Sequence, residues 1–399
     1  MDLIIHTAGS ASPGTLDVEV VERKGLGHPD TICDALAECI SVQLCRYYLE
    51  RFGTILHHNV DKILLCGGSA RAAFGGGEVL EPLELYLAGR ATSEHQGERI
   101  PVAELATEAC RTWLRSHLPA LDVDRHVKII SRIRPGSGDL IRIYTKGHER
   151  TPLSNDTSCG VGFAPVTPLE SVVLAVEHTL NSTETKRAHP AIGHDIKVMG
   201  VRRGSRISLT IACAMVGRHL GNIEDYIEAK VVARQVALTA AHELTTMEVD
   251  AVVNAADDLA QGAVFLTVTG TSAEAGDDGE VGRGNRTSGL ITPYRPMTLE
   301  AAAGKNPVSH VGKLYNLAAA AIAAKATNEI SGVREAACVL VSRIGHAIND
   351  PQIVDVAVRL EAGQDIKSTA GPLRALVDRE LQCFPALQSE ILNGRVIVF

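Results

Sequence analysis

The sequence of 399 residues has few aromatic residues and no excess of positive charge. Aromatic side chains make up 4% of it, and its formal net charge is −8. A protein that binds nucleic acid through its general surface needs a basic face, so we expect no nucleic-acid partner. The negative charge leaves ATP binding open, because a nucleotide site needs positive charge only locally.

Long apolar runs and closely paired cysteines are also missing. The apolar stretch from Leu317 to Ala324 ends at Lys325 and is far too short to span a bilayer. The first residues contain neither a basic segment nor a long apolar segment, so no signal peptide is expected. Nine cysteines occur without a Cys-x-x-Cys pair, which indicates buried reduced thiols. We therefore expect a cytoplasmic protein with no membrane partner.

The common nucleotide-binding motifs are absent as well. Leu299 stands where a P-loop that ends in Gly304-Lys305 requires its first glycine. The pairs Gly25-x-Gly27 and Gly160-x-Gly162 both lack the third glycine of a dinucleotide fingerprint. Any phosphate site in this chain must therefore be built in another way.

Apolar residues recur every four positions after Asp30, which predicts one helix with a buried stripe. The stripe consists of Ile32, Leu36, Ile40, Leu44 and Tyr48. We expect Asp30 to cap this helix and Gly53 to end it. Two more long helical patterns cover about 222–244 and 308–330.

Alternating patterns predict strands that come largely as hairpins. The segments 196–201 and 207–213 flank Arg203-Gly204-Ser205, a predicted hairpin turn. A further alternation covers Val264, Leu266 and Val268. Hairpins favour an α+β fold over a doubly wound parallel sheet.

Five segments are rich in glycine, charge and small residues, which suits phosphate and metal binding. They are 22–30, 74–78, 134–139, the pair 155–158 with 195–197, and the pair 276–286 with 303–310. The first precedes a helix N-terminus, which favours anions; His28 could neutralise developing negative charge there, and Asp30 could hold a divalent cation. Taken alone, the second and third segments are as readily interpreted as ordinary turns, and a structural interpretation as a helix cap, a turn or a strand start is favoured for the first and the fourth. The fifth has more glycine, acid and base than a solvated loop usually carries.

Together these segments resemble the archaeal-type S-adenosylmethionine synthases, from near residue 19 to near residue 350. The runs Thr269–Gly279 and Gly289–Pro296 carry the resemblance most specifically. It implies three intertwined α+β subdomains with mostly antiparallel or mixed sheets and helices on one face. We expect a single catalytic unit, with subdomains near the sequence thirds 1–125, 126–250 and 251–399.

The resemblance also implies an activity, ions and an assembly. The implied activity is that of a methionine adenosyltransferase, which joins L-methionine to the adenosyl part of ATP. Two Mg²⁺ ions per site and activation by K⁺ are expected. The implied assembly is a homodimer, or a tetramer built from it, with active sites shared between subunits.

Motifs shared with the bacterial branch imply roles for single residues. His28 would face the polyphosphate and Asp30 would bind Mg²⁺. Lys197, Arg283 and Lys305 would hold phosphate and complete the catalytic set with His28. The residues expected to contact ATP or methionine are Glu78, Pro135, Gly136, Ser137, Gly138, Asp139, Leu140, Asn155, Asp156, Asp195, Asp277, Asp278, His310 and Lys313.

This chain departs from the bacterial pattern at two positions. Gly284 stands where a second basic residue follows the arginine. The second lysine after the Gly-Lys motif has no clean match, so His310 or Lys313 would serve instead. The metal and K⁺ contacts near 58–61 stay unassigned.

Two alternative functions remain open at the level of sequence. One is a non-catalytic module that senses ATP or binds a partner with the same fold, although such a module would be expected to lose charged site residues. The other is an offshoot of the family that uses another thioether or another nucleoside triphosphate, which the nearly complete charged set does not exclude.

Overall fold

A computed structural model describes residues 1–138, 144 and 151–399. Within these residues three main sheets each pack against helices around their own apolar core. The strands are β1 Asp2–Thr7, β2 Val18–Lys24, β3 His58–Cys66, β4 Ser69–Ala73, β5 Gly76–Glu81, β6 Leu83–Ala91, β7 Glu94–His95, β8 Glu98–Arg99, β9 Val127–Ser131, β10 Cys159–Ala164, β11 Ile192–Arg203, β12 Arg206–Val216, β13 Glu248–Val253, β14 Leu266–Thr267, β15 Gly279–Glu280, β16 Val333–Val341 and β17 Ile353–Leu360. The helices are α1 Pro29–Phe52, α2 Val102–His117, α3 Val123–His126, α4 Pro168–Leu180, α5 Thr183–Ala188, α6 Ile223–His242, α7 Val311–Glu329, α8 Ile366–Leu381 and α9 Phe384–Leu392.

The first sheet has the strand order β15-β3-β6-β9 and packs against α1 and α2. The predicted stripe of α1 is confirmed, since all five of its residues are fully buried in this core. Gly53 ends the helix with a φ of +69°, also as predicted. Asp30 is not the cap: His28 is, and its Nδ1 accepts a hydrogen bond from the Asp30 backbone at 3.2 Å. Pro29 decides this, because proline fits the first helical position and keeps the preceding residue extended.

The second sheet has the strand order β13-β12-β11-β2, with β14 beside β12, and packs against α4 and α6. Its β11–β12 hairpin is confirmed, with Arg203 paired to Arg206 across the predicted turn. Gly204 there has a φ of +57°, a conformation that favours glycine. The strand predicted over 264–268 is shorter in the structure, where only β14, Leu266–Thr267, is a strand.

The third sheet has the strand order β1-β17-β16-β10 and packs against α7, α8 and α9. Strand β10 lies directly on α7, because a Cβ added at Gly160 or Gly162 would overlap the helix backbone. The predicted α+β class, with mixed sheets and helices, is confirmed.

Each sheet joins distant parts of the chain. Strand β1 pairs with β17, β2 with β11, and β15 with β3. The boundaries at the sequence thirds stay a prediction. Among the residues that the structure describes, no helix combines the length and the apolar character that crossing a membrane requires. All nine cysteines are free thiols.

Candidate active site

Three segments far apart in sequence meet in front of α1 through backbone hydrogen bonds. The Gly27 nitrogen donates to the carbonyl of His194 at 2.9 Å, and the Asp195 nitrogen donates to the carbonyl of Gly270 at 3.0 Å. The Thr271 hydroxyl donates to the carbonyl of Gly27 at 2.6 Å. A Cβ at Gly27 would overlap the Asp195 backbone, so only glycine allows this approach. The first candidate segment and residues 195–197 of the fourth therefore meet the loop that leads into the fifth.

Six charged or titratable side chains gather where these segments meet, and we call them the His28 cluster. The cluster consists of Lys24, His28, Asp30, Asp195, Lys197 and Asp277. Burial and the charge of Lys24 lower the pKa of His28 to about 4, against the opposing charges of Asp30 and Asp277. The ring is therefore neutral at physiological pH. Because its Nδ1 accepts a hydrogen bond, its Nε2 carries the proton and can donate.

Two carboxylates of the His28 cluster share one hydroxyl. The Ser272 hydroxyl lies 2.6 Å from Asp195 Oδ2 and 2.9 Å from Asp277 Oδ2, and the Ser272 backbone also donates to Asp195 at 2.8 Å. Asp195 is buried, whereas Asp277 is exposed. Burial raises the pKa of Asp195 to about 6, although the two bonds from Ser272 oppose the rise. Asp277 is therefore the carboxylate of this pair that is accessible, and Asp195 is the one held inside the fold.

Asp30 lies in the first turn of α1 and is held from two sides. Its Oδ2 accepts from Lys24 Nζ at 2.8 Å, and its Oδ1 accepts from the Glu280 backbone at 3.0 Å. In the part of the chain that the structure describes, no group of three or more His, Cys, Asp or Glu residues forms a ready metal cage. A cation at Asp30 would therefore need further ligands from substrate or water.

A second group of charged residues surrounds Lys305, and we call it the Lys305 cluster. It consists of Glu38, Asp61, Glu300, Lys305, His310 and Lys313. Lys305 Nζ lies 2.5 Å from Asp61 Oδ2 and 2.8 Å from Glu300 Oε1, in a nearly fully buried position. Burial favours the neutral form of Asp61, but Lys305 and Lys62 outweigh it and lower its pKa to about 2.

The two candidates for the second phosphate lysine both lie at the start of α7. His310 caps this helix, and burial together with Lys305 lowers its pKa. Lys313 is fully buried, and its ammonium contacts both carboxylate oxygens of Glu38 at 2.7 Å. Asn155 lies beside them, because its side-chain oxygen accepts from the Val311 backbone at 3.3 Å. The structure thus leaves Lys313 with its charge already neutralised.

Helix α1 contributes one residue to each cluster. Asp30 is in its first turn, and Glu38 lies eight residues on, about 12 Å along the axis at 1.5 Å per residue. Asp34 lies between them, with its Oδ1 accepting from the Gly282 backbone at 2.9 Å. Its buried Oδ2 has no hydrogen-bond partner, and burial raises its pKa to about 7.

The remaining expected residues lie outside these two clusters or at their edge. Glu78 is exposed on the β4–β5 hairpin and pairs with Arg71 at 2.8 Å. Asp156 bonds to the Thr157 backbone, and Asp278 accepts from the Gly67 backbone. Arg283 is exposed, and its carbonyl accepts from Lys24 Nζ at 2.9 Å.

The expected nucleotide loop after β9 is covered only in part. Pro135, Gly136, Ser137 and Gly138 follow the bridge between Arg134 and Arg90 and are mostly exposed. Asp139 and Leu140 lie outside the described residues.

Comparison with known proteins identifies the family. The sequence pattern of the S-adenosylmethionine synthetase (AdoMet synthetase) family matches residues 2–395. The chain belongs to this family. It is 53% identical over 384 residues to the probable S-adenosylmethionine synthase of Aquifex aeolicus (strain VF5), with 96% of both chains covered. It is 48% identical over 390 residues to the S-adenosylmethionine synthase of Hyperthermus butylicus, with 96% of this chain and 95% of that protein covered.

A solved structure agrees with this assignment at the level of the fold. The unusual S-adenosylmethionine synthetase from Campylobacter jejuni superposes with a TM-score of 0.60 at 16% identity. The superposition covers 92% of this chain and 88% of the other. The predicted membership of the S-adenosylmethionine synthetase family, a family of transferase enzymes, is confirmed.

Sequence reasoning missed several residues that belong to the two clusters of this synthetase-family chain or lie beside them. They are Lys24, Asp34, Glu38, Asp61, Ser272 and Glu300. Ser272 lies inside the run Thr269–Gly279 that carries the resemblance, and Lys24 lies in the first candidate segment, 22–30; those positions were the available signal. The ion pairs of Asp61 and Glu38 with lysines more than 200 positions away left no local signal.

Proposed function

We propose that the chain is a methionine adenosyltransferase that converts ATP, L-methionine and water to S-adenosylmethionine, phosphate and diphosphate. The observation that carries this proposal is the family match over residues 2–395, with relatives named as S-adenosylmethionine synthases over nearly their whole length. The motifs of His28, Asp277 and Lys305 support it, because each lies in one of the two charged clusters.

The first stage is an in-line displacement at C5′ of ATP. The methionine sulfur forms the new bond, the bond between C5′ and its oxygen breaks, and the whole tripolyphosphate leaves with the electron pair. A neutral thioether sulfur needs no general base, so the residues act by positioning and by stabilising charge on the leaving chain. Lys197, Arg283 and Lys305 supply positive charge, and His28 supplies an N–H donor or takes up a proton when phosphate arrives.

The second stage is hydrolysis of the tripolyphosphate. Water attacks a terminal phosphorus, one phosphoanhydride bond breaks, and phosphate and diphosphate result. The same cations stabilise the added negative charge in this stage. Asp195 and Asp277 would bind polar groups of the substrates beside the phosphate chain, with Ser272 holding the two carboxylates in place.

Asp30 fits a Mg²⁺ ion that arrives with ATP. Mg²⁺ in phosphoryl sites is usually bound through one or two carboxylates, with phosphate oxygens and water as the other ligands. One carboxylate at a helix start, without a complete protein cage, matches that pattern. The ion, when bound, withdraws negative charge from the phosphate chain. The second Mg²⁺ and the K⁺ are proposed from the family resemblance alone.

The proposed assembly is a homodimer, or a tetramer of two dimers, in which two chains complete each site. The separation of the two clusters along α1 supports it, since groups of one chain can then serve two sites. The exposed Glu78 would contact methionine, and Asp156 would lie near the adenosyl group. We propose a cytoplasmic enzyme with ATP and L-methionine as partners and with the three subdomains near the sequence thirds.

Product identification tests the proposal. The purified protein is incubated with ATP, L-methionine, Mg²⁺ and K⁺, and the products are identified by mass. We expect the sulfonium product. Formation of only ADP or AMP, without a sulfonium, would show that the proposed reaction is wrong.

A further inference from the structure

Lys24 places an ammonium group inside the His28 cluster, although no motif assigns it a role. It ends β2 directly opposite Lys197 on β11. Its Nζ donates to Asp30 Oδ2 at 2.8 Å and to the carbonyl of Arg283 at 2.9 Å. The side chain is 13% exposed, so the amine is held inside the cluster and does not extend into solvent.

The position of this amine coincides with a gap in the family pattern. In the bacterial pattern a second basic residue follows the phosphate-binding arginine, whereas Gly284 follows Arg283 in this chain. Gly284 is buried, and a Cβ added there would lie 2.5 Å from Asp34 Oδ2. Asp34 is fixed by its bond from the Gly282 backbone, so it has little room to yield. A side chain at position 284 would therefore require the Asp34 side chain on α1 to move.

The Lys24 amine reaches the backbone from which the missing side chain would project. The carbonyl that it contacts belongs to the peptide bond between Arg283 and Gly284. A lysine stem is flexible, and its ammonium has three donors. When a phosphate chain occupies the site, the amine can therefore turn from the Arg283 carbonyl to phosphate oxygens without leaving the cluster.

We propose that Lys24 binds the polyphosphate chain and supplies the second positive charge that Gly284 lacks. This inference rests on the proposed function for its substrate, but the contact with phosphate can be measured without turnover. The competing interpretation is that Lys24 only neutralises Asp30. The two differ once Asp30 is uncharged, because a counterion then has nothing to neutralise whereas a phosphate ligand keeps its role.

Binding of inorganic tripolyphosphate in the presence of EDTA separates the two interpretations. Calorimetry is carried out on the wild type, Lys24→Met, Asp30→Asn and the double variant. We expect Lys24→Met to weaken binding roughly 10- to 100-fold in both backgrounds, the range for a lost hydrogen bond to a charged group. Lys24→Arg should retain most of the affinity because it keeps the charge. Unchanged affinity between Asp30→Asn and the double variant would overturn the proposal.

Lys230→Met is the matched control. Lys230 forms a comparable, partly buried pair with Asp257 at 2.5 Å, on α6 in the helix layer of the second sheet. It should bind tripolyphosphate like the wild type. Thermal unfolding shows whether the Lys24→Met variant is folded. If it is not, the tripolyphosphate affinities of Lys24→Arg and Lys24→Gln are compared instead, because the first keeps the positive charge and the second removes it.

Turnover gives a second readout that a purely structural role would not move. Lys24→Ala should raise the KM for ATP and lower kcat in both stages, and added methylammonium should restore part of the rate. If the wild type forms no S-adenosylmethionine, but the Lys24→Met variant binds tripolyphosphate more weakly than the wild type, the proposed function fails and the phosphate contact stands. If the wild type is active and Lys24→Met matches it in binding and turnover, the inference about Lys24 alone fails.

Discussion

Charged side chains in both clusters are held by opposite charges within the fold. Asp30 contacts Lys24, and Lys305 contacts Asp61 and Glu300. A substitution that removes one residue of such a pair therefore has two effects. It leaves the partner residue without its opposite charge, and it removes the contact that the substituted residue would make with substrate. Predictions for single residues must include both effects.

Asp30→Asn tests the metal position. Asparagine keeps an acceptor for the Glu280 backbone, and His28 remains the cap of α1, so the fold should survive. The lost charge should raise the Mg²⁺ concentration required for half-maximal rate and lower turnover by about tenfold or more. Steady-state assays over a Mg²⁺ series measure both. Asp365→Asn, a matched change at the cap of α8, should have wild-type kinetics. A wild-type rate with unchanged Mg²⁺ dependence for Asp30→Asn would show that the metal is elsewhere.

Lys305→Met should reduce both turnover and stability. Losing one charge-stabilising donor typically lowers the rate by roughly two to three orders of magnitude. The Mg²⁺ requirement of this variant should not shift much. The substitution also leaves Asp61 buried without its main cation, which costs about 3–5 kcal/mol at neutral pH. Urea unfolding and steady-state kinetics measure the two effects separately.

The pH dependence of that loss follows from the pKa of Asp61. Lys305 and Lys62 hold it at about 2 in the folded protein, below its unfolded value, against the effect of burial. The pair therefore stabilises fully above the unfolded pKa and stops doing so as pH falls through 2. Lys305→Met should consequently be less destabilising at pH 5 than at pH 8, because protonation can then relieve the unpaired acid. Adding Asp61→Asn should restore stability but not turnover; a double variant as unstable as the single one would contradict this.

Elements bring the charged residues together through close backbone contacts. The segment before α1, the β11 strand and the loop before β15 are joined at Gly27. Gly27→Ala should lower both stability and turnover, because a Cβ there overlaps the Asp195 backbone and pushes the segments apart. Gly9→Ala is the control, since a Cβ there meets nothing within 4 Å. Thermal unfolding and product assays measure the effect. Wild-type values for Gly27→Ala would show that the segments need not meet so closely.

Local patterns predicted the elements well where one face is buried. The stripe of α1 and the β11–β12 hairpin follow directly from periodicity and turn residues. The strand predicted over 264–268 is short because Glu274 takes the backbone N–H groups of Val268 and Thr269 at 2.7 and 2.6 Å. A carboxylate that replaces a strand partner is not visible in an apolar alternation.

Long-range pairing set the limit for predicting the site. The motif residues His28, Asp195 and Asp277 do meet, but Ser272, which bonds to both Asp195 and Asp277, was not predicted. The pair of Lys305 with Asp61 joins β3 to the segment before α7, and no local pattern fixes which acid faces which lysine. The packing of three sheets decides those partners.

At the scale of the whole molecule, the prediction concerns the number of chains that form one active site. If two chains share each site, the His28 cluster of one chain should work with the Lys305 cluster of its partner. His28→Ala and Lys305→Met should then each be inactive, and mixing them after reversible dissociation should restore about a quarter of wild-type activity. Sedimentation should show dimers or larger assemblies. A fully active monomer at nanomolar concentration, or no restored activity in proven mixed dimers, would contradict shared sites.

The fate of the oxygen and sulfur atoms tests the proposed reaction most directly. The wild-type protein is incubated with ATP, L-methionine, Mg²⁺ and K⁺ in water enriched in heavy oxygen, and every product is quantified by mass. We predict equal amounts of S-adenosylmethionine, phosphate and diphosphate, with heavy oxygen in the phosphate and none in the diphosphate or the S-adenosylmethionine. That pattern requires sulfur attack at C5′ followed by hydrolysis of the tripolyphosphate. Production of ADP or AMP without a sulfonium, or heavy oxygen in an adenosine product, would contradict it.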